Sequence, residues 1–586
     1  MGYLVRSQKS VRKPFENRKM SKLEALKQAK SLSDLAYILG EQPKILSYVL
    51  YKIPAKAKYK TFQIPKKSGG RRIIQAPIDR LKRIQKSLAN FLQDVYLEIQ
   101  KKRKLKYNCI VSHGFKPHLS IVTNARNHRN KTYVFNSDLQ DFFPSINFGR
   151  VYGFFMRNED FALNPKVATV IAQIACHGNS LPQGSPCSPI ISDFIGHILD
   201  MRLLKVATRN RCTYTRYVDD LTFSTNERTF PRAIAYTDKD NQHKWLAGDA
   251  LLKNVFKSGF KLNDAKTRVQ YKSSRQETTG LIVNKKVAVP TEYYHKTRAM
   301  CHNLFKEGFA YAVKDGAPEP ISDAVLRGRL SYIHHVRSMQ NKLENGPSLR
   351  TTAPFKLYQQ YLNYVSFFGI SKPVVIGEGV TDTIYLKAAL NQLAAKYPNL
   401  VAVGSGKKEH KLQFFKYGNS SRELMGLSGG TGELKNLLGE YRKRITGFKA
   451  GGMQPVIILV DNDDGAKAFF STLGAITKTK VSGTDPFYYV YANLYAVPIP
   501  PTGNPVAAIE GLFDPVLLTT IHDGKKLDLT NKEPDGSKFY SKHTFAKSIV
   551  RPNQDKIDFK GFEPLLTAIE QVISDYAARL AARTAP

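Results

Sequence analysis

Two adjacent aspartates, Asp219 and Asp220, stand in the run Arg216-Tyr217-Val218-Asp219-Asp220-Leu221-Thr222-Phe223-Ser224, with apolar residues alternating around them. The alternation predicts a β-hairpin carrying both carboxylates at its turn. Adjacent carboxylates repel each other and an apolar core cannot satisfy them, so their natural stabiliser is a divalent cation held by oxygen ligands. A solvated Asp-Asp turn is the ordinary alternative. Against it stands a third acid, Asp138, in Val134-Phe135-Asn136-Ser137-Asp138-Leu139-Gln140-Asp141-Phe142-Phe143, at the end of another strand-like run. Three acids from two strands can clamp two metal ions, an arrangement suited to phosphoryl transfer.

A second set of acids lies far along the chain. Pro373-Val374-Val375-Ile376-Gly377-Glu378-Gly379-Val380-Thr381-Asp382 reads as a buried strand, a Gly-bounded turn and a helix start, which puts Glu378 at the carboxyl end of the strand. Pro455 to Val460, all apolar, ends in the same way, in Asp461-Asn462-Asp463-Asp464. Ligands bind at such strand ends in open α/β sheets, and continuous apolar runs suit parallel strands covered on both faces. One strand ending in acids could equally be a helix cap; two in one chain favour a site.

Composition agrees with phosphate chemistry. The chain has 89 Lys and Arg against 48 Asp and Glu, a formal charge of +41 that makes nucleic acid the expected partner. The excess is uneven: residues 1–371 hold 62 basic and 27 acidic side chains, residues 372–586 hold 27 and 21. Two different modules are implied. No run approaches eighteen apolar residues, and the basic start of the chain lacks an apolar stretch, so a soluble, cytoplasmic protein without a membrane partner is expected. Cys109, Cys176, Cys187, Cys212 and Cys301 show no Cys-x-x-Cys spacing and read as reduced bystanders.

The elements that must position the first acids can be read from pattern. Two short amphipathic helices are expected after Ser21. Phe62 to Pro77 reads as two strands joined by a Gly69-Gly70 turn, where Lys66, Lys67, Arg71 and Arg72 could meet a triphosphate or a nucleic-acid backbone. A basic helix is expected from Leu81 to Leu105. His128 taken alone reads as a structural, hydrogen-bonding histidine. Pro182-Gln183-Gly184 opens a Pro-punctuated loop before an apolar helix from Ile190 to Leu204; Gly184 permits close backbone approach to a ligand, and the Gln183 amide can bond a base or sugar. Residues 291–368 read as helical and basic, with Arg327, Arg329, Tyr332, His334, His335 and Arg337 clustered, and Arg442, Lys443, Arg444 and Lys449 form a smaller basic group later.

The ordered set of Asp138 followed by Phe142-Phe143, then Pro182-Gln183-Gly184, then Tyr217-Val218-Asp219-Asp220, then Lys266 resembles the palm of a reverse transcriptase. Asn124-Ala125-x-x-His128, and Thr278-Thr279-Gly280 where Val-Thr-Gly is usual, resemble bacterial retron reverse transcriptases in particular; the likeness covers roughly residues 21–340. Glu378-Gly379-x-Thr381-Asp382 followed by Asp461-x-Asp463 resembles the Toprim domain of topoisomerases, primases and overcoming-lysogenization-defect nucleases. The segment around Glu510 and the Lys542 of Tyr540-Ser541-Lys542-His543 are slighter matches to the nuclease branch.

The resemblance implies a right-hand α+β polymerase followed by an α/β Toprim domain with a Rossmann-like parallel sheet. Its parts would be an N-terminal helical segment (1–60), fingers and palm (61–290), a helical thumb (291–370) and the Toprim nuclease (371–586). Asp138, Asp219 and Asp220 would hold two Mg2+ ions, Phe143 would sit under the incoming deoxynucleotide sugar, and Lys266 would donate a proton to pyrophosphate or act by charge alone. Glu378, Asp382, Asp461, Asp463 and Glu510 would hold Mg2+ or Mn2+, with Lys542 stabilising a pentavalent phosphate.

As partners it implies deoxynucleoside triphosphates, a noncoding template-primer RNA, its RNA-linked DNA product and a nucleic-acid substrate for the Toprim module, in a bacterial defence against phage. Homo-oligomerisation would suit a restrained effector, though no heptad is legible. Two rivals are a group II intron-like reverse transcriptase and a nucleic-acid-binding scaffold with inactive acid sites.

Overall fold

A computed structural model describes residues 20–65, 69–103, 110–241, 243–314, 316–404, 407–501, 508–529 and 536–584. The chain divides into two compact units, Met1–Pro290 and Thr291–Pro586.

In the first unit the expected early helices form at Lys22–Gln28 and Leu32–Ile38, each opened by a serine capping box that satisfies the otherwise unpaired first N–H groups. Strands β1 (Tyr59–Pro65) and β2 (Arg71–Pro77) pair antiparallel with Pro65 opposite Arg71. Their turn needs the left-handed region at Gly69 and Gly70 (φ +84° and +77°), which glycine enters without a Cβ clash. Lys66 and Lys67 lie outside the described residues. Helix α1 (Asp79–Lys102) buries Leu81, Ile84, Leu88, Leu92, Val95 and Ile99, a stripe at helical spacing, and leaves its cations outside.

The centre of this unit is a four-stranded antiparallel sheet of β3 (Tyr133–Leu139), β4 (Thr213–Tyr217), β5 (Asp220–Thr225) and β6 (Leu262–Tyr271), in the order β4-β5-β3-β6. Helix α2 (Ser188–Arg209) places Ile191, Ile195, Leu199 and Leu203 in one core with Phe135, Leu221 and Phe223 of the sheet.

The second unit begins with helices Thr291–Glu307, Asp323–Glu344 and Ala353–Asn363. The expectation of helix throughout this segment is corrected by a hairpin, Ala310–Lys314 against Ala317–Ile321. Gly308, at positive φ, follows the helix end at Glu307, Gly316, also at positive φ, lies in the hairpin turn, and Pro318 and Pro320 fit a two-stranded ribbon. Leu326, Leu330, Tyr361 and Phe367 from this segment share one core with Ile376, Leu434 and Ile458, so a continuous core runs across residue 371.

The rest is built on a five-stranded sheet of β7 (Val374–Ile376), β8 (Gln413–Phe414), β9 (Val456–Val460), β10 (Tyr488–Tyr491) and β11 (Leu494–Pro498), in the order β8-β7-β9-β11-β10. All neighbours are parallel except the edge strand β10. Ile457 and Leu459 enter one apolar core, whereas Val456, Ile458 and Val460 enter another. Successive strand residues face opposite sides, so β9 must be apolar throughout because both faces are covered. Among the described residues no helix is long and apolar enough to cross a membrane. Cys176, Cys187, Cys212 and Cys301 are unbridged thiols, and Cys109 lies outside the described residues.

Candidate functional site

Strand register brings the first three acids together. Asp220 pairs with Tyr217 on one side and with Asp138 on the other, leaving Val218 and Asp219 as a two-residue turn. Val218 takes φ +61°. Positive φ at the first turn position belongs to hairpin geometry that ordinarily calls for glycine, so a β-branched residue there has to be held in place. The Leu139 N–H donates to the Asp219 carbonyl at 2.9 Å, which ties the turn to the end of β3.

Gathering carboxylates in a half-buried place has an electrostatic cost. Burial raises the Asp219 carboxyl above its ordinary range; burial, then a hydrogen bond with Asp138 and the charges of Asp138 and Asp219, push Asp220 up to about 8. Lys266 of β6 is bonded to Asp138, and this contact, ahead of the charges of all three acids, raises the lysine. The positive charge of Arg72 reaches Asp219, while Arg71 is exposed and donates to Gln63 at 3.3 Å. Phe143 is half-buried with its ring centre 5.5 Å from that of Phe142.

Gly184 has a use that differs from the expected ligand approach. At φ +128° a Cβ would stand 2.6 Å from the Gln75 carbonyl oxygen, and the Gln183 carbonyl accepts from the Gln75 N–H at 2.8 Å. The Pro-Gln-Gly loop therefore seats against β2, and the glycine is needed for that seat. His128 is structural, with ring nitrogens 2.7 Å from the hydroxyls of Ser224 and Thr215 and a proton affinity that burial lowers to about 3.

In the second unit Glu378 follows β7 and Asp461 follows β9, at the carboxyl ends of adjacent parallel strands. Asp382 lies in the first turn of α3 (Val380–Gln392) and accepts from the Gly379 N–H at 2.9 Å; a Cβ on Gly377 would stand 2.7 Å from its carboxylate. Burial, with the charges of Glu510 and Glu378, pushes Asp382 up to about 6; burial, then Glu378, Asp382 and Glu510, push Asp461 up to about 8. These four carboxylates thus feel one another. Glu510 is 2% exposed and is paired with Lys542 at 3.1 Å.

One feature of this cluster could not be seen in the sequence. Helix α4 (Thr431–Ile445) starts beside Glu378, whose Oε1 accepts from the Thr431 hydroxyl at 2.7 Å and its N–H at 3.2 Å. Among the described residues, Glu378 Oε2 is buried without a hydrogen-bond partner. A buried carboxylate oxygen left over among three other acids fits a hard divalent cation. Asp463 is placed differently: it is exposed and caps a short helix by accepting from the Ala466 N–H at 3.2 Å, beside an open cleft of about 750 Å³ lined by Asn462, Lys467, Phe470 and Ser482. In neither cluster are three His, Cys, Asp or Glu side chains of the described residues drawn into metal-ligand geometry; in each, a lysine holds one of the acids.

Some cations singled out for nucleic acid are engaged internally. Arg444 is largely buried and donates to the Met425 carbonyl and to Glu440, which removes it from the expected basic group. Arg329 donates to Thr297 and to the Tyr293 carbonyl, and His334 lies 3.0 Å from Glu423. Lone cations in a pattern do not reveal which of them fold back.

Residues 64–283 match the family model for reverse transcriptase (RNA-dependent DNA polymerase). The chain is 33% identical over 193 residues to the retron Ec86 reverse transcriptase of Escherichia coli, covering 33% of this chain and 55% of that protein. It is 30% identical over 300 residues to the retron Mx162 reverse transcriptase of Myxococcus xanthus, covering 46% and 56%. The chain spans about half the length of the curated relatives it matches. A solved telomerase from Candida albicans is similar at 11% identity, covering 68% of this chain and 66% of that one, with a TM-score of 0.30 that is too low to carry an argument. The segment that matches the reverse-transcriptase family model is the one that holds Asp138, Asp219 and Asp220.

Proposed function

We propose that this chain is a retron-type RNA-directed DNA polymerase joined to a Toprim-type, metal-dependent phosphodiesterase. The observation that carries the first half is the pairing of Asp138 opposite Asp220, with Asp219 at the turn, inside the segment that matches reverse transcriptases. Divalent ions held by these acids would lower the pKa of an attacking hydroxyl and neutralise the leaving pyrophosphate. The chain's own groups would do the rest. Arg71 and Arg72 receive the triphosphate, Phe143 supports the sugar and excludes a ribose 2'-hydroxyl, and Lys266 exchanges Asp138 for the departing pyrophosphate. Gln183 and Gly184 brace β2, which carries the arginines.

Resemblance to retron reverse transcriptases extends this reading to a structured noncoding RNA as template, priming from an internal 2'-hydroxyl, and a branched RNA-linked single-stranded DNA as product. Glu378, Asp382, Asp461 and Glu510, with the free oxygen of Glu378, support metal-assisted phosphodiester cleavage as the work of the second unit; Asp463 would join them by releasing its cap. A role in defence against phage, with the product restraining the nuclease, extends this reading, as does assembly into a homo-oligomer.

The deciding experiment is to purify the protein from cells carrying its neighbouring locus and resolve the bound nucleic acid. A discrete band sensitive to DNase and shortened by RNase is expected with the native acids and absent after Asp219→Asn with Asp220→Asn. No bound DNA in either sample would overturn the retron reading.

A further inference from the structure

Behind the Asp219–Asp220 turn lies a largely buried charge network that neither sequence motif accounts for. Arg216, 1% exposed, donates from Nε and Nη2 to Asp200 at 2.8 and 2.7 Å and from Nη2 to Asp193 at 3.1 Å. Both acids belong to α2 and have other partners. Asp200 accepts from the Tyr214 hydroxyl at 2.9 Å, and Asp193 takes Lys116 at 2.9 Å and the Ser112 hydroxyl at 2.5 Å. Pairing of opposite charges explains these arms. It does not explain the remaining one: Nη1 donates at 3.0 Å to the carbonyl of Val218, the turn residue at φ +61°.

Two glycines make room for this arrangement. A Cβ on Gly196 of α2 would stand 2.8 Å from Arg216 Nη2, and a Cβ on Gly114 would stand 2.7 Å from Val218 Cγ2 and 2.9 Å from its nitrogen. The backbone of Arg216 is also paired on both sides, its N–H with the Val111 carbonyl and its carbonyl with the His113 N–H. The guanidinium lies 5.8 Å from the ring centre of Phe142, in the segment that follows Asp138. One side chain thus touches both chain segments that carry the acids.

We infer that Arg216 is a positioning residue for the polymerase acids: its bond to the Val218 carbonyl holds a β-branched residue in the left-handed region, and so sets where Asp219 and Asp220 present their carboxylates. The inference rests on the polymerase reading. The network makes the guanidinium immobile, and an immobile donor can impose a conformation the local sequence disfavours. Lysine in its place keeps the charge but cannot reach both α2 acids and the turn carbonyl.

The test uses the full chain as wild type, Arg216→Lys, Val218→Gly, the double variant and Gly114→Ala, each checked for folding by thermal unfolding. The readouts are dTTP incorporation on poly(rA)-oligo(dT) across a Mg2+ series and Mn2+ binding by electron paramagnetic resonance, with Asp219→Asn plus Asp220→Asn defining the signal from this site. Arg216→Lys is expected to raise the Mg2+ concentration for half-maximal synthesis about tenfold, with little change in KM for dTTP. Adding Val218→Gly should recover most of that shift, because glycine adopts positive φ unaided. Gly114→Ala, which pushes on Val218 with the network intact, should reproduce the defect even if Arg216→Lys does not fold. An unshifted Mg2+ and Mn2+ dependence in folded Arg216→Lys, or a defect that Val218→Gly leaves untouched, would overturn the inference. Site-specific Mn2+ binding without DNA synthesis in the wild type would sink the polymerase reading alone, since the binding comparison still decides the role of Arg216.

Discussion

The two acid clusters face one electrostatic problem on different backbones. In the first unit the acids sit at facing strand ends of an antiparallel sheet, so their spacing follows from one turn and one register. In the second they come from three segments, Glu378 with Asp382, Asp461, and Glu510, and the packing of parallel strands and helix starts unites them. Each cluster engages a lysine, but Asp138 and Lys266 are 15% and 50% exposed, whereas Glu510 and Lys542 are 2% and 18% exposed. A hairpin places carboxylates near water, where a cation can exchange. Assembly at sheet ends buries Asp382 and Glu510, while Glu378 and Asp461 stay half-buried like the acids of the hairpin.

If the clusters are independent sites, Asp219→Asn with Asp220→Asn should lower DNA synthesis at least about 10³-fold, since metal-held charge contributes several kcal/mol to the barrier. Phosphodiester cleavage by the second unit should survive that change and be lost in Asp461→Asn. Assaying both activities in both variants checks this; loss of both on either change would break the comparison.

The difference in burial predicts unequal costs for removing the lysines. Lys542→Met leaves Glu510 buried and unpaired and should destabilise the second unit by about 3 kcal/mol. Lys266→Met should cost less than about 1 kcal/mol, because its pair is solvent-screened. Urea unfolding with domain-resolved fluorescence would measure both, and equal costs would contradict the distinction.

The first unit should also carry a pH signature through His128. Its proton affinity falls to about 3 in the fold, from 6.5 when free. Between those values the unfolded chain binds a proton that the folded one does not, so stability is lost as pH falls from about 6.5, at up to about 1.4 kcal/mol per pH unit. His128→Gln removes that titration. The stability difference between wild type and variant, measured by urea unfolding from pH 7 to pH 4, should shrink steadily as pH falls.

The smallest effect concerns the orientation of Glu378. Thr431→Val deletes one hydrogen bond and keeps the shape, so stability should change by about 1 kcal/mol, while Mn2+ binding to the second unit weakens about tenfold. Calorimetric titration of the Asp219→Asn plus Asp220→Asn protein would isolate that site.

Much of this was legible in the chain. The alternation around Asp219, the turn glycines at 69 and 70 and the apolar runs ahead of Glu378 and Asp461 announce their strands, because side-chain periodicity and turn conformation are local properties. The hairpin at 310–321 was not legible as such, since two prolines in a basic segment do not declare a ribbon until a partner strand is present. Nor could the role of Gly184 be read, because the carbonyl it makes room for belongs to Gln75.

Residue types and spacing alone therefore determined which groups are candidates for divalent ions and phosphate, and where the strands that end in acids lie. Tertiary structure decided which acids meet, which cations are spent internally and what holds Val218 at a disfavoured φ. The physical reason is that electrostatic partners such as Arg216 with Asp193 and Asp200, or Thr431 with Glu378, are distant in sequence, and burial determines the strength of their interaction.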